Sequence, residues 1–148
     1  MTLLPEPQHL DYLLAQVSRL HHHRAHELLD KIGLFRGQPH VIDLLHERDG
    51  LTHSELAAQL EVTPATVTKT IQRMEKAGFL QRKPDVNDQR VSRVYLTKAG
   101  RAVHSDLQAF QQQMESDSVR GFSEEEQAVM RGFLLRLRDN LTQALQEK

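Results

Sequence analysis

No cysteine occurs in the 148 residues, so neither a disulfide framework nor a thiol-based sensor is available to this chain. Long apolar runs are missing too, and none approaches the ~20 residues that cross a bilayer. The N-terminus lacks the basic-then-apolar layout of a signal peptide. A soluble cytoplasmic protein is therefore expected. There is no internal repeat, low-complexity tract or long linker, and ordinary apolar content at this length predicts one globular domain. Nor is there a Gly-rich phosphate loop, a nucleophile elbow or a signalled nucleophile–base set, so catalysis is not expected. Net charge is small, −1 with pI about 6.8, which by itself does not suggest a nucleic-acid binder.

The distribution of charge says more than its total. Between Thr52 and Arg101 nine basic residues (Lys69, Arg73, Lys76, Arg82, Lys83, Arg90, Arg93, Lys98 and Arg101) face five acidic ones (Glu55, Glu61, Glu75, Asp85 and Asp88). The segment is thus +4 and the remainder −5. A basic middle on an acidic frame is what phosphate contact needs, although a basic patch also arises by chance.

Residues 1–8, with Pro5 and Pro7, read as an irregular arm. From His9 to Ile32 the apolar spacing is helical, with Leu10, Leu14, Val17, His21, Arg24 and Leu28 on one stripe that Leu13 and Leu20 widen. Gly33 suits its end. Pro39 fits the first turn of a second helix carrying Val41, Ile42, Leu44 and Leu45 and stopping by Asp49-Gly50. Thr52-His53-Ser54-Glu55 is a capping box that opens a third. After the short turn at Glu61-Val62, Thr63 caps a fourth helix whose first residue is Pro64.

In that fourth helix Val67, Ile71 and Met74 form the inward stripe. At ~100° per residue the opposite side carries Ala65, Lys69, Gln72 and Lys76, flanked by Thr66, Thr68 and Arg73. Small, hydroxyl, amide and basic side chains can bond base edges and phosphates, and they would equally form an ordinary solvated face. Gly78 ends the helix. Strands are expected from Phe79-Leu80 and over Val94 to Leu96, joined by a projecting basic loop with Pro84, Asp85, Asn87 and Asp88 as turn formers. Thr97 caps a fifth helix to about Val119, with Val103, Leu107, Phe110 and Met114 as its stripe. Gly121 breaks it, and Ser123 to Glu126 is a second capping box. A sixth helix with Val129, Phe133, Leu134, Leu137, Leu141 and Leu145 follows.

These residues resemble the MarR family of bacterial winged-helix transcription regulators. The wing carries the likeness most specifically: Asp88-Gln89-Arg90, then Val94-Tyr95-Leu96-Thr97-Lys98-Ala99-Gly100. Leu51-Thr52 with Glu55-Leu56-Ala57, and Val67-Thr68-Lys69 leading to Met74-Glu75 and Gly78, support it. The resemblance implies a mainly α fold with a small β wing: about six helices, a two- to three-stranded wing, and a winged helix-turn-helix joined to a helical dimerisation frame. One domain, 1–148, would hold the frame in 9–32 and 97–145 and the DNA-binding lobe in 38–96. Two such lobes in a homodimer would meet successive major grooves of a palindromic double-stranded operator, ~34 Å apart.

Carried onto this chain, the family pattern makes Arg90 the wing arginine that enters the minor groove. Asp88 would orient the wing through an ion pair with an arginine. Thr63, Thr66, Thr68 and Lys69 would lie at the base and phosphate contacts near the helix start, and Arg73 on phosphate. Members often bind small anionic or phenolic ligands, and here His21, Arg24, His40 and His104 are the candidates for an effector pocket, with Arg24 suited to an anion. Arg24 could instead pair with an acid or extend to water. Nine histidines include the internal run His21-His22-His23 with His26. His22 and His26 lie one turn apart, and some members sense zinc, yet solvated or interface histidines explain the pattern as well. No metal or cofactor is expected, and without cysteine the peroxide-sensing route of the family's thiol members is closed. The expected function is a dimeric, sequence-specific repressor released by a small-molecule effector, with no membrane role. The alternatives are activation, a zinc-responsive regulator, or an effector-independent winged-helix interaction module.

Overall fold

The computed structural model describes residues 8–147; the irregular arm expected at the N-terminus lies, but for Gln8, outside them. Six helices and three short strands follow in the order α1 (Leu10–Lys31), α2 (Gln38–Glu47), β1 (Leu51–Thr52), α3 (His53–Leu60), α4 (Pro64–Lys76), β2 (Leu80–Pro84), β3 (Ser92–Leu96), α5 (Lys98–Val119) and α6 (Glu124–Gln146). The fold is mainly helical with one small antiparallel sheet. Packing divides the chain into two compact units, one ending at Met114 and the other beginning at Glu115.

In the first unit the sheet order is β1-β3-β2. Leu80 pairs with Leu96 and Pro84 with Ser92, while Leu51 and Thr52 add a short third strand beside Val94 and Arg93. Alternation in β3 turns Val94 and Leu96 into the core and leaves Arg93 and Tyr95 half-exposed. The core gathers Val41, Ile42 and Leu45 of α2, Leu56 and Ala57 of α3, Val67, Ile71 and Met74 of α4, and Val103 and Leu107 of α5. Fully burying each large aliphatic side chain contributes about 1.5–3 kcal/mol before entropy is counted. Leu29 and Leu34, which flank the end of α1, complete this core.

Local signals place the helix ends. Thr52 Oγ1 accepts the Glu55 N–H at 3.1 Å and Glu55 returns the bond, which closes the capping box on α3. Thr63 caps α4, with Pro64 in its first turn. Gly78, at φ +90°, takes the left-handed turn after α4 that a side chain would strain. Thr97 Oγ1 accepts the Gly100 N–H at 3.1 Å and donates to the Gly78 carbonyl at 2.6 Å, so one hydroxyl starts α5 and holds the end of the α4 turn.

The apolar stripe of α1 is largely exposed: Leu10, Leu13, Val17 and Leu20 all lie in the open, and Leu29 is the one buried residue of the helix. In the second unit Ser123 forms its capping box with Glu126, and α6 buries no residue at all. Val129, Phe133, Leu134, Leu137, Leu141 and Leu145 are each exposed. Exposed apolar patches of this extent mark association surfaces.

Candidate nucleic-acid interface

The interface is built on α4. Thr63 Oγ1 accepts the Thr66 N–H at 3.2 Å and meets the Thr66 hydroxyl at 2.9 Å, so both threonines are committed to fixing the helix start. With Val67, Ile71 and Met74 locked inward, Ala65, Lys69, Gln72, Arg73 and Lys76 are turned to solvent. Among the described residues, none of Lys69, Arg73 and Lys76 has an acidic partner. Three uncompensated cations on one face supply the sequence-independent attraction that phosphates need.

Thr68 sits differently from its neighbours. It is half-buried, with its hydroxyl 3.4 Å from His53 Nδ1, a long contact across from the start of α3. His53 Nε2 is buried without a protein partner. Burial, reinforced by the Arg82 guanidinium and opposed by Glu75, holds the His53 imidazole below its ordinary range, so the neutral ring is favoured.

The far end of α4 is tied to the wing. Arg82 donates to Glu75 from Nη2 at 2.9 Å, from Nε at 3.0 Å and from its backbone N–H at 3.2 Å. The guanidinium fork holds the Glu75 carboxyl below the usual carboxylate range, and Glu75 raises Arg82 in return. Helix and strand therefore present their charges from one braced element.

Beyond β2, Asp85 organises the wing loop. Its Oδ2 accepts the backbone N–H groups of Asn87 and Asp88, each at 3.0 Å. Its Oδ1 accepts Arg93 Nε at 2.5 Å, and Arg93 Nη1 continues to the Gly50 carbonyl at 2.8 Å. The Arg93 hydrogen bond first, and the two backbone donors after it, hold the Asp85 carboxyl below its ordinary range. At the loop's outer edge Arg90 is 91% exposed and bonds Asp88 from Nε at 3.1 Å and Nη2 at 3.3 Å. An ion pair so open to water is worth little and exchanges readily for another anion. Lys83 on β2 lies over β3, its ammonium 5.2 Å from the centroid of the Tyr95 ring.

Of the residues singled out from sequence, Thr63, Thr66, Thr68, Lys69 and Arg73 share α4 and its cap, while Asp88 and Arg90 share the wing loop. Asp85, Arg93, Glu75 and Arg82 were missed as braces; each reads in isolation as a solvated charge, and only Asp85 carried a local signal, as a turn former.

The effector-pocket candidates are not gathered into one cavity. His21 is exposed, and Arg24 pairs with Glu27 at 3.3 Å. His40 lines a cavity of about 110 Å³ behind α4 with Leu60, Val62, Thr66 and Thr70. His104 stacks on His46 with centroids 3.6 Å apart and lies 3.5 Å from Asp43. A larger groove of about 430 Å³ runs along another side of α1, lined by Arg19, His22, His23, His26, Leu29 and Arg36. Among the described residues, no group of three His, Asp or Glu is arranged to hold a metal ion, and no helix is long and apolar enough to cross a membrane.

A capped outward-facing helix beside a basic hairpin defines a winged helix-turn-helix DNA-binding protein. A family profile, MarR, matches residues 34–92. The chain is 30% identical over 119 residues to the uncharacterized HTH-type transcriptional regulator YwoH of Bacillus subtilis, covering 80% of this chain and 86% of YwoH. It is 27% identical over 139 residues to the HTH-type transcriptional regulator PecS of Dickeya dadantii, covering 92% of this chain and 84% of PecS. Among solved structures, the S. aureus MepR–DNA complex superposes with a TM-score of 0.73 at 25% identity, over 93% of this chain and 99% of that one. The chain belongs to the MarR family. It is a DNA-binding transcription regulator and not an enzyme.

Proposed function

We propose that this regulator acts as a homodimer in the cytoplasm, gripping a palindromic operator with α4 in the major groove and the wing in the flanking minor groove. The observation that carries this is the pairing of three uncompensated cations on α4 with an almost fully exposed Arg90 one hairpin away. Lys69 and Arg73 contact phosphates, with Thr63 and Thr66 fixing the helix start and Thr68 set against His53. Arg90 leaves Asp88 to enter the minor groove, where A·T-rich narrowing strengthens the negative potential. The whole chain works as one functional domain, with 38–96 as the DNA-binding lobe and 9–32 and 97–145 as the dimerising frame. The exposed stripes of α1 and α6 support that role for the frame, because a second copy would take them out of water.

We further propose that it is a repressor relieved by a small anionic or phenolic ligand. Of two structural neighbours, BpsR of Bordetella bronchiseptica has its DNA binding regulated by 6-hydroxynicotinic acid, and PcaV of Streptomyces coelicolor forms a complex with its natural ligand. Here the groove bearing Arg19 and Arg36 offers two permanent cations on an apolar floor, which suits an anion better than the scattered His21, Arg24, His40 and His104. A ligand there would release DNA only to the extent that it binds the released form more tightly. Selection of duplexes from a random pool, followed by footprinting and sizing of the complex, tests the proposal. Two-fold symmetric protection by a dimer is expected; a monomer, or binding indifferent to sequence at physiological salt, would overturn it.

A further inference from the structure

We infer that Arg93 is a positioning residue for DNA binding: it fixes the wing loop that presents Arg90, by bridging Asp85 to the Gly50 carbonyl, and does not itself touch DNA. The inference rests on the wing contact proposed for Arg90. Asp85 is the hub of the loop, since one of its oxygens closes the turn onto the Asn87 and Asp88 amides at 3.0 Å and the other receives Arg93. The backbone anchors the base of the loop, with the Asp85 N–H donating to the Val91 carbonyl at 2.8 Å, but the carboxylate that closes the turn is held by Arg93. Arg93 ties that carboxylate to the sheet, because its second donor ends 2.8 Å from the carbonyl of Gly50, 43 residues earlier in the chain.

The far end of the tie is rigid. Gly50 donates its own N–H to the Val94 carbonyl at 2.9 Å and packs against the Tyr95 ring, which a Cβ at Gly50 would approach to 3.0 Å. Arg93 itself occupies the central strand, paired on one side with Thr52 and on the other with Lys83. A planar fork can satisfy a carboxylate and a carbonyl at once, whereas an ammonium is a single point charge on a flexible stem. Two residues beyond Asp88, Arg90 inherits whatever order the loop has, and ordering a reader before it binds lowers the entropy lost on binding.

The test is a double-mutant cycle on the full-length dimer, titrated at fixed salt against the duplex recovered by selection from a random pool. Arg90→Ala, Arg93→Gln, Arg93→Lys, Asp85→Asn and the Arg90→Ala/Arg93→Gln pair are compared, with amide hydrogen exchange at Asn87 and Asp88 as the readout of loop order. Arg93→Gln is expected to weaken binding about tenfold alone and to add almost nothing in the Arg90→Ala background, because coupled neighbours are non-additive. Arg93→Lys should not rescue, Asp85→Asn should match Arg93→Gln, and both should speed exchange at the two amides. Additive losses in the cycle, or full affinity in Arg93→Lys, would overturn the inference and make Arg93 a charge contact. Full affinity in Arg93→Gln with faster exchange would also overturn it, since loop order would then not matter to binding. An Arg90→Ala protein with undiminished affinity would instead remove the wing contact on which the inference stands.

Discussion

Gly100 offers a case in which two physical effects predict opposite signs. It lies in the first turn of α5, where replacing glycine by alanine on propensity alone stabilises a helix by about 1 kcal/mol. Yet a Cβ built there would stand 2.2 Å from the Phe79 carbonyl oxygen and 3.1 Å from Leu96 Cδ2. The leucine could give way, but the carbonyl cannot easily do so. It accepts the Thr97 N–H at 3.0 Å, and Thr97 in turn holds the Gly78 carbonyl through its hydroxyl. Overpacking a fixed site costs roughly 1–3 kcal/mol, and contact with backbone puts this one at the upper end. The clash therefore exceeds the propensity gain, and Gly100→Ala should lose about 2 kcal/mol net. Denaturant unfolding with an unchanged m-value measures it. Gly132→Ala in α6, where a Cβ meets nothing within 4 Å, is the matched control and should be neutral or stabilising by up to about 1 kcal/mol. Equal stabilisation in both variants would refute the packing argument and leave propensity as the ruling effect.

Other outcomes follow from the same geometry. Lys69→Ala and Arg73→Ala should each weaken binding to all duplexes alike and lower the slope of log affinity against log salt by about 1, measured by anisotropy titration; a change confined to one sequence would make the residue a base reader instead. Thr63→Ala removes the α4 cap and its bond to Thr66, and should cost about 1 kcal/mol of stability in a thermal melt, with no loss at all counting against the cap. For His53 the fold favours the neutral ring, so its contribution is whole above its ordinary value of 6.5 and is lost as pH falls from there toward the lower folded-state value. His53→Gln should accordingly flatten the acid side of the stability–pH curve relative to the parent, and superimposable curves would exclude the ring.

Much of this architecture was legible because its causes are local. The inward stripe of Val67, Ile71 and Met74, the capping boxes at Thr52 and Ser123, the Thr63-Pro64 start of α4 and the glycine stops are each decided within a few residues by dihedral preference, nearby hydrogen bonds and helical period. The apolar spacing of α1 and α6 was legible as well, but spacing alone does not say whether a stripe meets the core or water. Both stripes turn out to be exposed, while Leu29 and Leu34 at the end of α1 are buried.

What the sequence determined on its own is therefore the kind of elements, their ends, and the basic middle that a winged helix requires. Tertiary structure alone decided which charges are free and which are spent. Lys69, Arg73 and Arg82 look alike as letters, yet Arg82 is clamped on Glu75 while the other two stand open. Thr68 looks like Thr66 until the His53 ring closes on it, and Asp85 looks like any turn residue until Arg93 joins it to Gly50. The reason is one of distance along the chain: a cap or stripe is written in neighbouring residues, whereas an ion pair needs two distant segments folded to within about 3 Å, and no local pattern encodes that meeting.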